Sequence, residues 1–526
     1  MLVKLKYSEA IIKAVEELNE ILSFNSQKFT SSYLYHMDII DINYYLFSCE
    51  NEEREYWGNN IYGIPNNSPL VFAGFFGVMK ILRETSLNND FHHPLYQNIM
   101  EGDWFIEYHL NRIQRYNRSL HEKFRTCFEN VVAKIKLMPP LLKPKYVHRF
   151  FSLVVSAFEN QFLEQIKTPD FFLKNDFYRQ LLLAAPQFMT GPNKNDHSLT
   201  LLSAGLPHFS VGCWKNWGRD TFTSFNGIFL VTGLYQEGRK IILYYARFLR
   251  HGLIPNMLDP PRYNSRDATW WFIYAIKNYL EETSDYRILS ENVKMTFLSD
   301  NQEEHYRLLN QGVTKTMKLM DILQEIFQKH AEGIHYREWN APDIDSNMSY
   351  LGFNISLFVD WRNGFIFGGN RNNCLTWMDK LGSSTKAKNK GVPATSRNGA
   401  PIELTALLYV GVKMMKMLYE ENISHCNGVT LSESKSIEYK EWKRLIKLNF
   451  EKYYWIPHSE DEYEFYKIEK AFVFRNGIYK DCISENPEDY QLRPNALIAV
   501  AIVSSILVKE HAASYLEQAK RILIVD

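Results

Sequence analysis

The chain has no surplus of either charge. Its 60 basic and 60 acidic residues cancel, which argues against nucleic acid or an anionic membrane as main partner, because both demand a basic excess. Cysteines are few and scattered: Cys49, Cys127, Cys213, Cys374, Cys426 and Cys482 form no CxxC pair and no metal-ligand spacing. In a chain this long they read as reduced thiols of a cytoplasmic protein. No run of about 18 apolar residues occurs, so no segment reads as membrane-spanning. The N-terminal stretch MLVKLKYSEAIIKAVEELNEIL is amphipathic and carries acids. It lacks the apolar core and small-residue cleavage site of a signal peptide. A GxSxG elbow, an HExxH pair and a P-loop are also missing. FGGNRNN is glycine-rich but has neither GxGxxG spacing nor a preceding strand. His208, His251 and His335 are separated, so neither a metal site nor a cofactor is expected. The lysine-rich STKAKNKG reads as a solvated loop.

Aromatic residues are plentiful: 32 Tyr, 34 Phe and 11 Trp among 526 residues. Most belong in cores, and some can floor a groove for sugars. The length predicts about two to four domains. The best boundary is the polar stretch MTGPNKNDHSLT, with Gly191 and Pro192. It separates a smaller, mixed but mostly helical domain over 1–190 from a second domain over 195–526.

The second part reads as helix after helix, with no short alternating apolar runs between hairpin turns. LYQEGRKIILYYARFLRHG places Ile241, Tyr244, Tyr245, Phe248 and Leu249 on one stripe, with Gly252 where a C-terminal cap belongs. RDATWWFIYAIKNYLEET, EEHYRLLNQGVTKTMKLMDILQEIFQKH, IELTALLYVGVKMMKMLYEEN, EYKEWKRLIKLNFEKYYW and RPNALIAVAIVSSILVKEH continue the pattern. The expected fold is mainly α, an array of antiparallel helix pairs that could close into a toroid.

Polar-aromatic clusters fall between these helices: WKNWGRDT, RHGLIPNML, RYNSRDATWW, FGGNRNNCLTWMDKLG, SRNGAPIEL and DYQLRPN. Each sets a carboxylate, a base or an amide close to a helix start, usually beside Trp or Tyr. A pyranose ring explains the mixture, since its C–H faces stack on indole and its hydroxyls need paired donors and acceptors. Trp214 or Trp217 would then be a stacking floor, with Arg219 and Asp220 gripping hydroxyls. The bland alternative makes Arg219 and Asp220 a buried pair at a helix start, with Asp220 as N-cap.

Cleaving a glycosidic bond needs two carboxyl groups, one giving a proton to the leaving oxygen. That acid needs a poorly hydrated, aromatic wall. Asp379 follows Trp377 by two residues, and Asp267 precedes Trp270 and Trp271; Asp220 and Glu403 are further candidates. The residues alone do not rank Asp379 above Asp267.

These motifs, with AGLPHFSVGCWKNWGRDTF and GVPATSRNGAPIEL, together resemble the glucosidase region of the eukaryotic glycogen debranching enzymes, in order and spacing over residues 200–520. IPNNSPLVFAGFFGVMKIL and EGDWFIEYHLNRI are similar to the segment preceding that region. The resemblance implies a bifunctional cytosolic family in which a (β/α)8-type transferase region is joined to an (α/α)6 glucosidase region. The latter hydrolyses α-1,6-linked glucose with inversion. The acid of its TWMD motif falls on Asp379, leaving Asp267 as a pocket residue. Trp217, Arg219, Asp220, His251, Arg266, Trp270, Asn370, Trp377, Glu403 and Arg493 become the expected substrate contacts. The implied partner is glycogen or a branched α-glucan limit dextrin. The family's general base, a Glu near the extreme C-terminus, has no match here. About eight helices follow residue 200, whereas six hairpins need about twelve. An incomplete (α/α)6 toroid, nearly inactive alone, is therefore the expectation. Two alternatives stay open. One is a complete glucoamylase-like or trehalase-like glycosidase with Glu403 as base. The other is a non-catalytic glycan-binding protein that depends on Trp217 or Trp270.

Overall fold

A computed structural model describes residues 9–47, 74–88, 92–115, 121–166, 169–190, 201–202, 216–258, 260–338, 343, 345–484 and 487–524. Trp214, His208, Cys49, Cys213, Gly191 and Pro192 lie outside them. The fold is mainly α, and the chain divides into two compact units. One takes in Met1–Asn216 and Gly227–Glu237, the other Trp217–Asn226 and Gly238–Asp526.

The first unit contains α1 (Glu9–Leu22), α2 (Ile39–Phe47), α3 (Phe75–Leu87), α4 (Trp104–Arg115), α5 (Glu122–Lys136) and α6 (Lys143–Gln165). Along α6 the buried residues Val147, Phe150, Phe151, Val154, Val155, Phe158 and Phe162 recur at helical spacing. Pro144 sits in the first turn, where its missing N–H leaves no helical bond unmade. The core is built of rings meeting edge to face, as with Phe75 and Phe151 (5.3 Å, 81°) and Phe124 and Phe158 (5.5 Å, 84°).

In the second unit, α7 (Gly218–Thr223) packs on α9 (Ala268–Thr283). The helix between them in sequence, α8 (Tyr235–Ala246), ends before Gly252. That glycine does not cap it; it lies at φ 72° in a turn where a Cβ would meet the Lys329 side chain. The stretch 303–330, read as one helix, is two: α10 (Gln302–Asn310) and α11 (Leu319–Glu332), separated by the strand Thr316–Lys318. Then follow α12 (Ile402–Glu420), α13 (Tyr439–Tyr454), α14 (Asn495–Ile502) and α15 (Lys509–Leu523). Helix α12 is buried without a break from its first residue to Val412, and packs on α9, α13 and α14. A helix apolar on all sides belongs at the centre of its unit. Gly411 lets neighbours come close: a Cβ there would lie 3.0 Å from Phe327 and 3.1 Å from Ile273.

Strands also occur where none was expected, including one, Phe365–Gly368, that runs into the FGGNRNN stretch read as having no preceding strand. β1 (Ile334–Arg337), β2 (Asn354–Asp360) and β3 (Phe365–Gly368) form an antiparallel sheet with Leu357 opposite both Ile334 and Gly368. Strand β2, NISLFVD, alternates exposed Asn354, Ser356 and Phe358 with buried Ile355, Leu357 and Val359. That two-residue period is a strand signal missed among longer helical ones. The sheet packs Ile334, Ile355 and Leu357 with Leu253, Tyr263 and Leu375, which anchors the loop leading to Asp379. Among the described residues no helix is long and apolar enough to cross a membrane.

On α11, His330 is buried beside Trp270 and uses Nδ1 on the Ile326 carbonyl (2.8 Å). Burial pushes its pKa down from an ordinary 6.5 to about 4. The unfolded chain then binds more protons between those values, so stability is fully present above pH 6.5 and is lost as pH falls toward 4. The expected slope is about 1.4 kcal/mol per pH unit. Denaturant titrations at several pH values check this: His330→Phe should flatten the slope in that window.

Candidate functional site

The starts of α7 and α9 carry Arg219 and Asp267, and a loop carries Asp379. Gly218 opens α7 because nothing larger fits: its N–H donates to the Asn256 carbonyl (2.7 Å), and a Cβ would lie 2.4 Å from the Pro255 oxygen. This sets Arg219 and Asp220 in the first turn, so Asp220 is not the N-cap; Trp217 is. The partner of Arg219 is also not its neighbour. Arg219 Nε and Nη2 each donate to Asp267 at 2.8 Å, a bidentate fork, and Nη2 also reaches Ser265 Oγ (3.1 Å). Asp267 is the fully buried N-cap of α9. The remaining nitrogen, Nη1, donates to Asp379 Oδ2 at 3.0 Å. One guanidinium therefore bridges a buried carboxylate to a half-exposed one.

Burial pulls the Arg219 pKa down, but Asp267 and Asp379 reverse this and leave it raised. Asp220, partly buried close by, has its carboxyl pushed up by burial; Arg219 pulls the other way, and the charges of Asp379 and Asp267 add to the rise. The other Asp379 oxygen, Oδ1, accepts from Lys380 Nζ at 2.6 Å, and that lysine is 89% exposed.

A second buried constellation lies behind Trp377. Arg397 donates to Asp481 through Nε (2.8 Å) and to both Glu403 oxygens (2.5 and 2.6 Å). Arg493 Nη1 reaches Asp481 Oδ2 (2.8 Å), and Asn495 Nδ2 reaches Asp481 Oδ1 (2.6 Å). Asn495 in turn accepts the indole N–H of Trp377 at 2.8 Å. Trp377 is 42% exposed, so its edge is fixed while part of its ring stays open.

Several expected contacts are occupied by bonds within the scaffold. Trp270 is fully buried between Phe327 (5.4 Å) and His330 (4.9 Å), so it offers no face to a sugar. Apolar neighbours on α9 draw it into the core instead. Trp270→Ala should cost about 3–5 kcal/mol of stability yet leave ligand affinity of the folded protein unchanged; chemical denaturation and calorimetry separate the two. Glu403, proposed as contact or base, is wholly buried and neutralised by Arg397. Arg266 is buried and spends its guanidinium on the carbonyls of Gly368 (2.6 Å), Gly399 (2.7 Å) and Arg397. Burial lowers its pKa to about 10. Asn370 braces its own loop, donating to the Leu351 and Asn354 carbonyls. His251 stacks on Tyr336 at 4.0 Å, and its backbone N–H meets Asp300; no contact joins it to Arg219. Trp217 bridges in β fashion to Met257 and is partly exposed. Arg219, Asp267 and Asp379 are brought together, with Asp220 electrostatically close. Trp377 and Arg493 belong to the adjoining network.

The sequence reading missed Arg397, Asp481 and Asn495 as site-building residues. Arg397 and Asn495 lie inside motifs already noticed. Asp481 has no local signal: its partners lie 12, 14 and 84 positions away along the chain.

Comparison with known families identifies the class. The model described as Amylo-alpha-1,6-glucosidase matches residues 166–525, and the one described as Central domain of human glycogen debranching enzyme matches residues 5–113. The chain belongs to the amylo-α-1,6-glucosidase family of glycoside hydrolases. A particular relative is the glycogen debranching enzyme of Saccharomyces cerevisiae, 33% identical over 530 residues, covering 97% of this chain and 34% of the relative. The chain thus spans about a third of the length of that curated relative.

Proposed function

We propose that the second unit holds the terminal α-1,6-linked glucose of glycogen or a branched limit dextrin, and that Asp379 is the general acid of its inverting hydrolysis. One observation carries this: Arg219, locked on one side by buried Asp267, holds on the other the half-exposed carboxyl of Asp379. Asp267 is committed to that fork and Glu403 to Arg397, so neither is free to move a proton. Asp220, with its carboxyl raised by burial, suits a hydroxyl contact that donates or accepts. The exposed part of the Trp377 ring supplies an apolar face.

Proton donation sets a geometric condition. Both Asp379 oxygens accept from cations. A proton can reach the glycosidic oxygen only from an oxygen that has shed its cation. Lys380, held in solvent by a weak surface contact, leaves more readily than Arg219. Substrate entry displaces Lys380 from Oδ1 and the Arg219 contact keeps Oδ2 in place; the vacated Oδ1 takes a proton from water and passes it to the leaving oxygen.

A glucose-configured iminosugar, whose ring ammonium mimics transition-state charge, tests the assignment by calorimetry on the purified chain. Asp379→Asn should weaken it by about tenfold, or 1.4 kcal/mol, while the melting temperature holds. Unchanged affinity would remove Asp379 from the site.

A further inference from the structure

We infer that Asn495 is a positioning residue that aims Asp379 through Trp377, an inference resting on the assignment of Asp379 above. Asn495 is 1% exposed and lies 118 residues from Trp377. Its carboxamide has a fixed sense. Nδ2 faces the buried carboxylate of Asp481 at 2.6 Å, and the reverse orientation would set an oxygen against that anion. Asp481 is itself held by Arg397 and Arg493, so it cannot turn away. Oδ1 is thereby aimed at the indole N–H of Trp377, and the same Nδ2 lies 3.4 Å from the Met378 sulfur.

The segment before Asp379 needs such a clamp. Leu375 lies at φ 23°, outside the regions that a branched side chain favours. Its carbonyl accepts from the Arg266 N–H (2.9 Å), and Thr376 Oγ1 accepts from Arg397 Nη1 (3.4 Å). Residues 375 to 378 are thus each tied by a buried group, and Asn495 ties the last two. With Trp377 and Met378 released, the Asp379 carboxyl would be held only by Arg219 and by an exposed lysine. Placement within a fraction of an ångström is what acid catalysis demands.

Three variants of the full chain test this with the iminosugar. Asn495→Ala removes the clamp. Trp377→Phe removes the indole N–H and keeps a ring at a half-exposed position, so it is expected to fold even if the first does not. Each should weaken binding about fivefold, the scale of one lost hydrogen bond, and combining them should add little further. Asn495→Asp is the sharper probe. A carboxyl group copies the carboxamide only when protonated, donating to Asp481 while accepting from Trp377. Its deficit should therefore shrink between pH 7.5 and pH 5, which a general loss of packing would not produce. Equal affinity in Trp377→Phe and the parent, an additive double variant, or a pH-independent Asn495→Asp deficit would each overturn the positioning role. If Asp379→Asn binds normally, the assignment of Asp379 fails and this inference with it; if Asp379→Asn is impaired but Trp377→Phe is not, only the inference falls.

Discussion

Arg397→Met is expected to lose about 3–5 kcal/mol of stability, because it leaves buried Glu403 without its cation and takes one of two cations from buried Asp481. Glu403 and the Asp481 side chain are both wholly buried, and Arg397 is their common partner. Burial by itself lowers the Arg397 pKa, yet the two anions more than reverse this and leave it raised. Arg493 still touches Asp481 after the substitution, but nothing described replaces the fork on Glu403. Methionine fills much of the vacated volume, so the loss measures charge rather than a cavity. Urea unfolding of parent and variant checks this, and a companion carrying Glu403→Gln as well should recover part of the deficit. A loss under about 1 kcal/mol would mean that the carboxylates find water or protons instead.

Asp267→Ala is expected to be similarly severe, about 3–5 kcal/mol, since Arg219 then stays buried without its bidentate partner. The variant also loses the acceptor for Ser265 Oγ. Its second consequence is on binding. Freed from its fork, Arg219 turns toward Asp379, the one remaining anion it touches, and draws that carboxyl inward. Iminosugar affinity of the folded fraction should drop by about tenfold or more, as misplacement of a reacting group does. Asp267→Asn keeps the volume but sets an amide N–H against a guanidinium N–H, so it should fall between parent and Ala. A folded Asp267→Ala variant with full affinity would detach Arg219 from the placement of Asp379.

Much of this was legible in the residues. The long helices of the second unit were written in apolar spacing, and α9, α12 and α13 were placed nearly to their ends. Clusters at the starts of α7 and α9 marked Arg219 and Asp267 as candidates for one site, whereas Asp379 sits in a loop well before α12 and was marked by its TWMD motif. Other parts could not be read. Strand β2 is a seven-residue alternation inside a helical chain, and its partners lie in loops that carry no strand signal of their own. Trp270 and Trp271 are adjacent, and sequence alone does not say which indole turns inward; the packing of α9 on Phe327 and Gly411 decides it. Glu403 reads as a catalytic carboxyl until its partner is known, and Arg397 sits six residues upstream across a turn. Asp481 takes its meaning from three contacts formed only in the folded chain.

The long reach of Arg219 bears on when in folding its carboxylate cluster is assembled. Its two carboxylate partners lie 48 and 160 positions away along the chain. Such distant pairings close late, after the local helices have formed. Partly folded species then lack the Arg219–Asp379 contact, and the iminosugar present during refolding meets no formed cluster until the final steps. It should leave the refolding rate unchanged and slow the escape from the native state.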